Sequence, residues 1–476
     1  MSAFVLPAGR HARAMVSAAC ALLLAGCATF SEDGRFGPVA DMARKHTGQE
    51  SSWARSADEL NAIEKRVAEL LLQPLTADSA VQVALLNNRG LQATYQELGI
   101  AEAELVRASR LPNPGFSFAR LTRGNEVEYD RTFSFDLGHL IALPFAAEME
   151  GRRIEAIQRS VAMEMLQVAS EARKAFFSAV AAEQNVRYAT DVKAAADAGA
   201  ELARRLARAG NINKLQQARE HGFFSEAALN LARAYQLRTA ARERLARALG
   251  LWGEQLNFRL PERLPDLPRQ PADQPDIEQF AMAQRLDVQS ARLHLDATAK
   301  HLGLSKATRF INVLEVGYEY NTSNEESRQT GWEVAVEIPL FDFGTARVAR
   351  AEAVYMQSVH RAAKVAVDAR SEVREAYDRY RSAYDIARHY RDDIVPTAKR
   401  ISDENLLRYN GMLIGVFDLL ADARAQIGAV ASSIEALREF WIARADLDMA
   451  LIGKPSIAPP AGSGLGRAAG GGATPH

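Results

Sequence analysis

From about residue 146 to residue 209 the apolar positions keep a helical spacing without a break. Ile154, Ile157, Val161, Met165, Val168, Ala172, Ala175 and Ala179 step by three and four. A helix of ~60 residues is ~90 Å long, far longer than a globular domain needs. A spacing sustained over several heptads calls for a partner helix packed as in a coiled coil, and alanines at the seam allow close approach. Gly210-Asn211-Ile212-Asn213 turns the chain, and residues 214–249 return as another helix. A second run of the same kind covers 345–410, bent or broken near Pro396. Gly411 marks its turn, and 416–452 return. Abundant Ala, Leu, Arg and Glu with only 7% aromatics suit long helices.

Ahead of each long run the period changes to two. Residues 110–145 open with Arg110-Leu111-Pro112-Asn113-Pro114. Phe116 and Phe118 alternate with small or polar neighbours, and 122–130 form a charged loop. Phe133, Phe135, Leu137, Ile141 and Leu143 then alternate with Ser134, Asp136, Gly138 and Ala142, and Pro144 ends the run. The pattern predicts strands over about 115–122 and 131–143. Residues 309–343 repeat the arrangement, with strands over about 310–321 and 331–340. Phe310, Leu314, Val316, Tyr318 and Tyr320 line the first; Trp332, Val334, Val336, Ile338 and Leu340 line the second, and Pro339 echoes Pro144. Glu315, Glu319, Glu333 and Glu337 fall on the side opposite the apolar residues and so face water, in a lumen or on an ordinary exposed strand face. Arg120, Arg123 and His139 make the first pair the poorer lipid-facing hairpin; His139 reads as a strand-end exception near an interface.

The repetition extends to single residues. Ser170-Glu171-Ala172-Arg173-Lys174-Ala175-Phe176 matches Ser371-Glu372-Val373-Arg374-Glu375-Ala376-Tyr377, Gly210 matches Gly411 at the same offset, and Gln92 falls on Gln289 at a slightly smaller one. The chain therefore divides into a first repeat at 53–250, a Pro-rich extended linker at 251–275, a second repeat at 276–453 and a disordered tail at 454–476. Within the repeats, helices are expected at 53–72, 79–109 (capped by Thr76 and Asp78, stopped by Pro112 and Pro114) and 276–308.

The N-terminus holds both cysteines, Cys20 and Cys27. Arg10, His11 and Arg13 precede a short apolar run at 14–24, too short to span a bilayer. Leu24-Ala25-Gly26-Cys27 resembles a bacterial lipoprotein signal. That resemblance implies removal of 1–26 and acylation of Cys27, palmitate included, with 27–52 as a polar tether; Ala28 resembles the outer-membrane sorting pattern. An ordinary signal peptide with an incidental cysteine is the alternative. The remainder has no cysteine, so no disulfide or cysteine metal site forms there. No other stretch resembles a transmembrane helix, so entry into a membrane must use strands. Four strands leave two open edges, which lipid forbids. Two copies would give eight strands and three would give twelve; the arithmetic does not choose. With 58 basic against 59 acidic residues, nothing points to a nucleic-acid partner. His-Glu-x-x-His, a Gly-rich phosphate loop and Gly-x-Ser-x-Gly are all lacking, so an enzyme, a cofactor and a metal site are not expected.

Residues 53–455 resemble the TolC family of outer-membrane efflux channels, in its lipoprotein (NodT-like) branch. The resemblance rests on Ala84-Leu85-Leu86-Asn87-Asn88, Glu97-Leu98-Gly99-Ile100-Ala101, Leu111-Pro112-Asn113-Pro114, Ile338-Pro339-Leu340-Phe341-Asp342-Phe343-Gly344, and Tyr409-Asn410-Gly411 with Phe417-Asp418-Leu419-Leu420. It implies a mainly α protomer with a small β part, duplicated as helix-strand-strand-helix-helix. It further implies a homotrimer whose twelve strands form an outer-membrane β-barrel on a long α-helical periplasmic barrel. The partners implied are outer-membrane lipid, a periplasmic adaptor and an inner-membrane pump of RND type. The same resemblance implies an acidic gate near the second turn, where Asp418 and Asp422 lie one helical turn apart, and adaptor contacts at Gly210, Asn211, Gly411 and Met412. Lys214 and Arg219 stand in the first-repeat turn, where they could pair with the acids; alternatively the acids are exposed and pair with Arg424 or Arg408. Two rival functions stay open: a duct for type I protein secretion, and a lipid-anchored periplasmic coiled-coil scaffold without a pore.

Overall fold

The computed structural model describes residues 29–273, 275–309, 314–337, 341 and 343–456. Cys27, residues 1–26, Phe310, Ile338, Pro339, Leu340 and most of the tail therefore lie outside the described residues. The first surprise is a helix where a featureless tether is expected: α1, Gly37–Thr47, buries Val39 and Ala43. Its apolar signal lasts barely more than one turn, too short to show a period. Asp33 accepts the Gly37 N–H at 2.9 Å, Pro38 sits in the first turn where its missing N–H costs nothing, and left-handed Gly48 ends it. The strap ahead of α1 is held as well. The Ser31 N–H and hydroxyl donate to the buried Glu102 carboxylate at 2.8 and 2.6 Å.

Helix α2 is Ala57–Leu71, started by the Ser56–Glu59 capping box. The single helix expected over 79–109 is two, α3 (Ala77–Asn87) and α4 (Arg89–Ala108). Asn88 breaks it by turning extended and accepting the Leu91 N–H at 3.2 Å as the cap of α4.

The long runs form two hairpins. The first pairs α5, Leu137–Arg208, with α6, Lys214–Leu249. The helix expected over 276–308 is likewise two, α7 (Ile277–Gln284) and α8 (Leu286–Ala307), broken at Arg285. The second hairpin comprises α9 (Thr345–His389), a π turn (Tyr390–Ile394), α10 (Val395–Asn410) and α11 (Val416–Ala450). The π turn falls immediately before Pro396, whose ring and missing N–H disrupt the preceding turn.

The core is gathered midway along the helices. Phe176 and Phe177 pack with Leu245 and Leu249, and Tyr380 and Tyr384 pack with Phe440. The linker joins this core: Leu251, Phe258, Leu264 and Leu267 are buried, and Trp441 Nε1 donates to Pro265 O at 3.0 Å. The first residues of the expected tail pack too, since Lys174 Nζ donates to Ser456 O at 3.1 Å. Buried charges brace the assembly. Arg285, its side chain 1% exposed, pairs with Asp287 (2.7 Å) and Glu372 (2.6 Å) and donates to Ala450 O (3.1 Å) at the end of α11. Burial pushes the Asp446 carboxyl up, although Lys174 and Arg379 stand 3.0 and 3.5 Å away.

One antiparallel sheet stands above the hairpins in the order β1 (Gly115–Arg123), β2 (Glu126–Asp136), β3 (Leu314–Ser323), β4 (Gln329–Val336). Two expectations are corrected. The loop over 122–130 shrinks to a turn at Gly124 and Asn125, with paired residues on both sides. The second strand stops at Asp136, and 137–143 open α5 with Pro144 inside the helix. Leu137, Leu140, Ile141 and Phe145 fit a helix face as well as a strand. Asp136 decides the matter by accepting the His139 N–H at 2.8 Å as N-cap. His139 is therefore a first-turn helical residue. Register gives the sheet two unlike faces. One stacks Phe116, Phe133, Tyr318 and Trp332 in a row across all four strands, with Phe135, Val316 and Val334 in the next row and Leu314 and Val336 in a third. The other carries the acids. Among the described residues no helix is long and apolar enough to cross a membrane.

Candidate functional site

The hairpin ends hold most of the candidate residues. In the first, Gly210 is left-handed (φ 78°) and the Asn211 N–H reaches Leu206 O at 2.9 Å. In the second, the Leu413 N–H reaches Arg408 O at 2.9 Å around left-handed Met412 (φ 58°), while Gly411 has φ −79°. The place of Gly210 is thus taken by Met412, and the sequence match of Gly210 to Gly411 is out by one residue. Met412 and Leu413 are 93% and 77% exposed.

Each returning helix starts alike. Asn213 caps α6 and Gln216 reciprocates; Gly415 precedes α11 and Asp418 accepts its N–H at 3.2 Å. Asp418 is thereby an exposed capping residue at the helix N-terminus, where a negative charge is favoured. Asp422 is half-buried and accepts from Asn405 Nδ2 on α10.

Sequence reading missed the counterpart of Asp422. Glu220 lies seven residues beyond the Asn213 cap, just as Asp422 lies seven beyond Gly415. Its side chain is 4% exposed, and Arg424 Nη2 donates to both of its oxygens at 2.8 Å. The Arg424 guanidinium also lies 4.2 Å from the Phe223 ring centre, so one residue of α11 clasps α6 twice. Arg408 pairs with Glu404 at 3.4 Å. No ion pair of Lys214 or Arg219 with Asp418 or Asp422 occurs among the described residues. The expected tip pairs are therefore replaced by Glu220–Arg424. Counting from each helix cap, instead of aligning the glycines, would have found Glu220 but not its partner.

The sheet is the second candidate region. On its polar face β2 carries Glu126, Glu128, Asp130 and Asp136, β3 carries Glu315 and Glu319, and β4 carries Glu333; Glu337 follows the last residue of β4. Arg123 is the one cation among the strand residues of that face. Seven carboxylates on a strip four strands wide create a strongly negative surface. Among the described residues, no group of three or more His, Cys, Asp or Glu is placed to hold a metal ion.

A four-stranded sheet standing on two very long helical hairpins is the fold this chain shares with solved outer-membrane channels. The chain overlays the Campylobacter jejuni CmeC outer membrane channel with a TM-score of 0.68 at 15% identity, covering 84% of this chain and 89% of that one. It overlays the open state of the Neisseria gonorrhoeae MtrE outer membrane channel with a TM-score of 0.60 at 18% identity, covering 82% and 88%. No family model matches the chain. In sequence, 278 residues align at 27% identity with the cobalt-zinc-cadmium resistance protein CzcC of Cupriavidus metallidurans. That match takes in 56% of this chain and 64% of CzcC, a little under two thirds of the relative's length. Fold and relatives together fit the TolC family.

Proposed function

We propose that this protein is the outer-membrane channel of a tripartite efflux system, passively conducting what an inner-membrane pump and a periplasmic adaptor deliver. The carrying observation is the sheet: a face of Phe, Trp and Val, a face of carboxylates, and two edges, β1 and β4, without a partner strand among the described residues. Such a sheet is stable in lipid only when other copies close it. Three copies give twelve strands, and the two hairpins of each copy continue them as a periplasmic tunnel. The hairpin ends, built alike, support a duplicated protomer.

At the far end the Glu220–Arg424 clasp, with Asp418 and Asp422 beside it, holds the hairpins together and marks the gate. Gly210, Asn211, Gly411 and Met412 are the adaptor contacts, and the pump is of RND type. The acidic face favours cations over a secreted protein as cargo, in line with the cobalt, zinc and cadmium in the name of CzcC. Acylation at Cys27 anchors the chain. Ser31 lies four residues on from Cys27, a reach of ~14 Å, and Ser31 is fastened to Glu102 two turns below the end of α4. Residues 1–26 are then the removed signal.

Conductance of the detergent-purified protein in planar bilayers tests the reading. A trimer with steady, cation-selective conductance is expected. A Cys27→Ser protein that is soluble without detergent and makes no pore would establish the scaffold instead.

A further inference from the structure

The apolar face of the sheet carries cations that the channel reading leaves unused. Arg131 belongs to that face: its cross-strand partner is Phe118, and its guanidinium lies 5.8, 5.7 and 5.6 Å from the ring centres of Phe118, Tyr129 and Tyr320. Nη1 donates to Thr322 Oγ1 at 3.2 Å. Arg120 lies opposite Tyr129 in the next row toward the turns. Arg328, in the β3–β4 loop, lies 5.7 Å from the centre of the Tyr320 ring. None of the three forms an ion pair among the described residues, and the strand acids project from the face opposite Arg120 and Arg131.

Their height is also ordered. The three rows from Leu314 and Val336 up to Trp332 are wholly apolar or aromatic, and the cations begin only above them. Leu314 to Tyr320 is six residues, ~20 Å along a strand. Guanidiniums confined to the turn end of an apolar band stand at the depth of headgroups. Rings stacked on Arg131 hold its planar fork in place before any anion arrives.

We propose that Arg120, Arg131 and Arg328 form a binding site for the phosphorylated headgroup of a membrane lipid in the leaflet nearest the strand turns. Guanidinium recognises phosphate through paired, charge-assisted hydrogen bonds. The site rests on the reading that the apolar face lies against lipid, and the test separates the two.

The full chain is reconstituted in phosphatidylcholine vesicles carrying a minor fraction of brominated lipid, either phosphatidic acid or phosphatidylcholine. Trp332, exposed on the same face one row below Arg131, reports nearby bromine by quenching, with Trp332→Phe giving the background. Brominated phosphatidic acid is expected to quench in excess, with an enrichment of roughly five-fold per guanidinium. Arg131→Gln and Arg120→Gln each lower the excess roughly five-fold, while Arg123→Gln, on the acidic face, keeps it. Arg120 is exposed, so its replacement leaves the fold undisturbed even if Arg131→Gln does not. Equal quenching by the two lipids in the unaltered protein, or an excess that neither substitution lowers, overturns the site. Absence of quenching by either lipid overturns the membrane placement of the sheet itself.

Discussion

Replacing Arg424 with alanine tests whether the hairpin ends are clasped. An exposed ion pair contributes ~0–1 kcal/mol, whereas removing one partner of a buried pair costs ~3–5 kcal/mol. This pair lies between those limits, with side-chain exposures of 4% for Glu220 and 32% for Arg424. Stacking on Phe223 adds ~0.5–1 kcal/mol. The loss should therefore be ~2 kcal/mol, a factor of ~30 in the opening equilibrium. The surroundings cannot make it good, since the buried neighbours at this end are alanines (Ala196, Ala200, Ala203, Ala227) with little apolar area. The effect should stay local. Hydrogen exchange is expected to quicken about 30-fold over the first turns of α6 and α11, with the core around Phe176 and Phe440 unchanged and conductance raised. Glu220→Gln with Arg424→Gln should recover most of the protection, because no bare carboxylate is then buried. Exchange at the hairpin ends within two-fold of the unaltered protein would refute the clasp.

Asp418→Ala should remove the bond to the Gly415 N–H and a favourable first-turn charge, at a local cost of ~0.3–1 kcal/mol, and lower both conductance and cation selectivity in planar bilayers; unchanged values would dismiss Asp418 from the gate. Arg285→Ala should lower global stability by ~3–5 kcal/mol in thermal or denaturant unfolding, because it strands Asp287 and Glu372 and frees Ala450 O. The docking of α1 should depend on acid. The Gly37 N–H, followed by that of Arg35, holds the Asp33 carboxyl below its ordinary value of 3.8. A carboxyl depressed in the folded state contributes fully above that ordinary value and loses its contribution as pH falls through the folded pKa. Limited proteolysis at Arg44 and Lys45 should accordingly accelerate at acidic pH before the hairpins respond.

Long helices and their turns were legible because the apolar period persists for many turns and Gly210 and Gly411 punctuate it. Breaks without such punctuation were not. Asn88 and Arg285 interrupt helices through side-chain bonds to residues elsewhere, Asn88 to Ala248 O and Arg285 to Ala450 O. The existence of the strand pairs was readable from alternation. The end of β2 was not, because its last apolar residues satisfy both periods until Asp136 caps the helix. At the hairpin ends the sequence offers several acids and several cations within reach. Which of them meet depends on how α6 lies against α11, and no local pattern carries that.

The π turn at Tyr390–Ile394 has a consequence for symmetry. From Ser170 to Gly210 is 40 residues, while from Ser371 to Met412, the matching place in the second turn, is 41. One extra residue in an unbroken α-helix would rotate everything beyond it by ~100°. A single wide turn absorbs the odd residue where it occurs, so the second hairpin arrives at its end in phase with the first. Both ends then present a left-handed turn residue, a helix start whose cap N–H is bonded by the side chain three residues on, and an acid seven residues on. A ring of copies would offer twice as many quasi-equivalent ends as chains, and one kind of partner could land on all of them while still telling alternate ends apart by Met412.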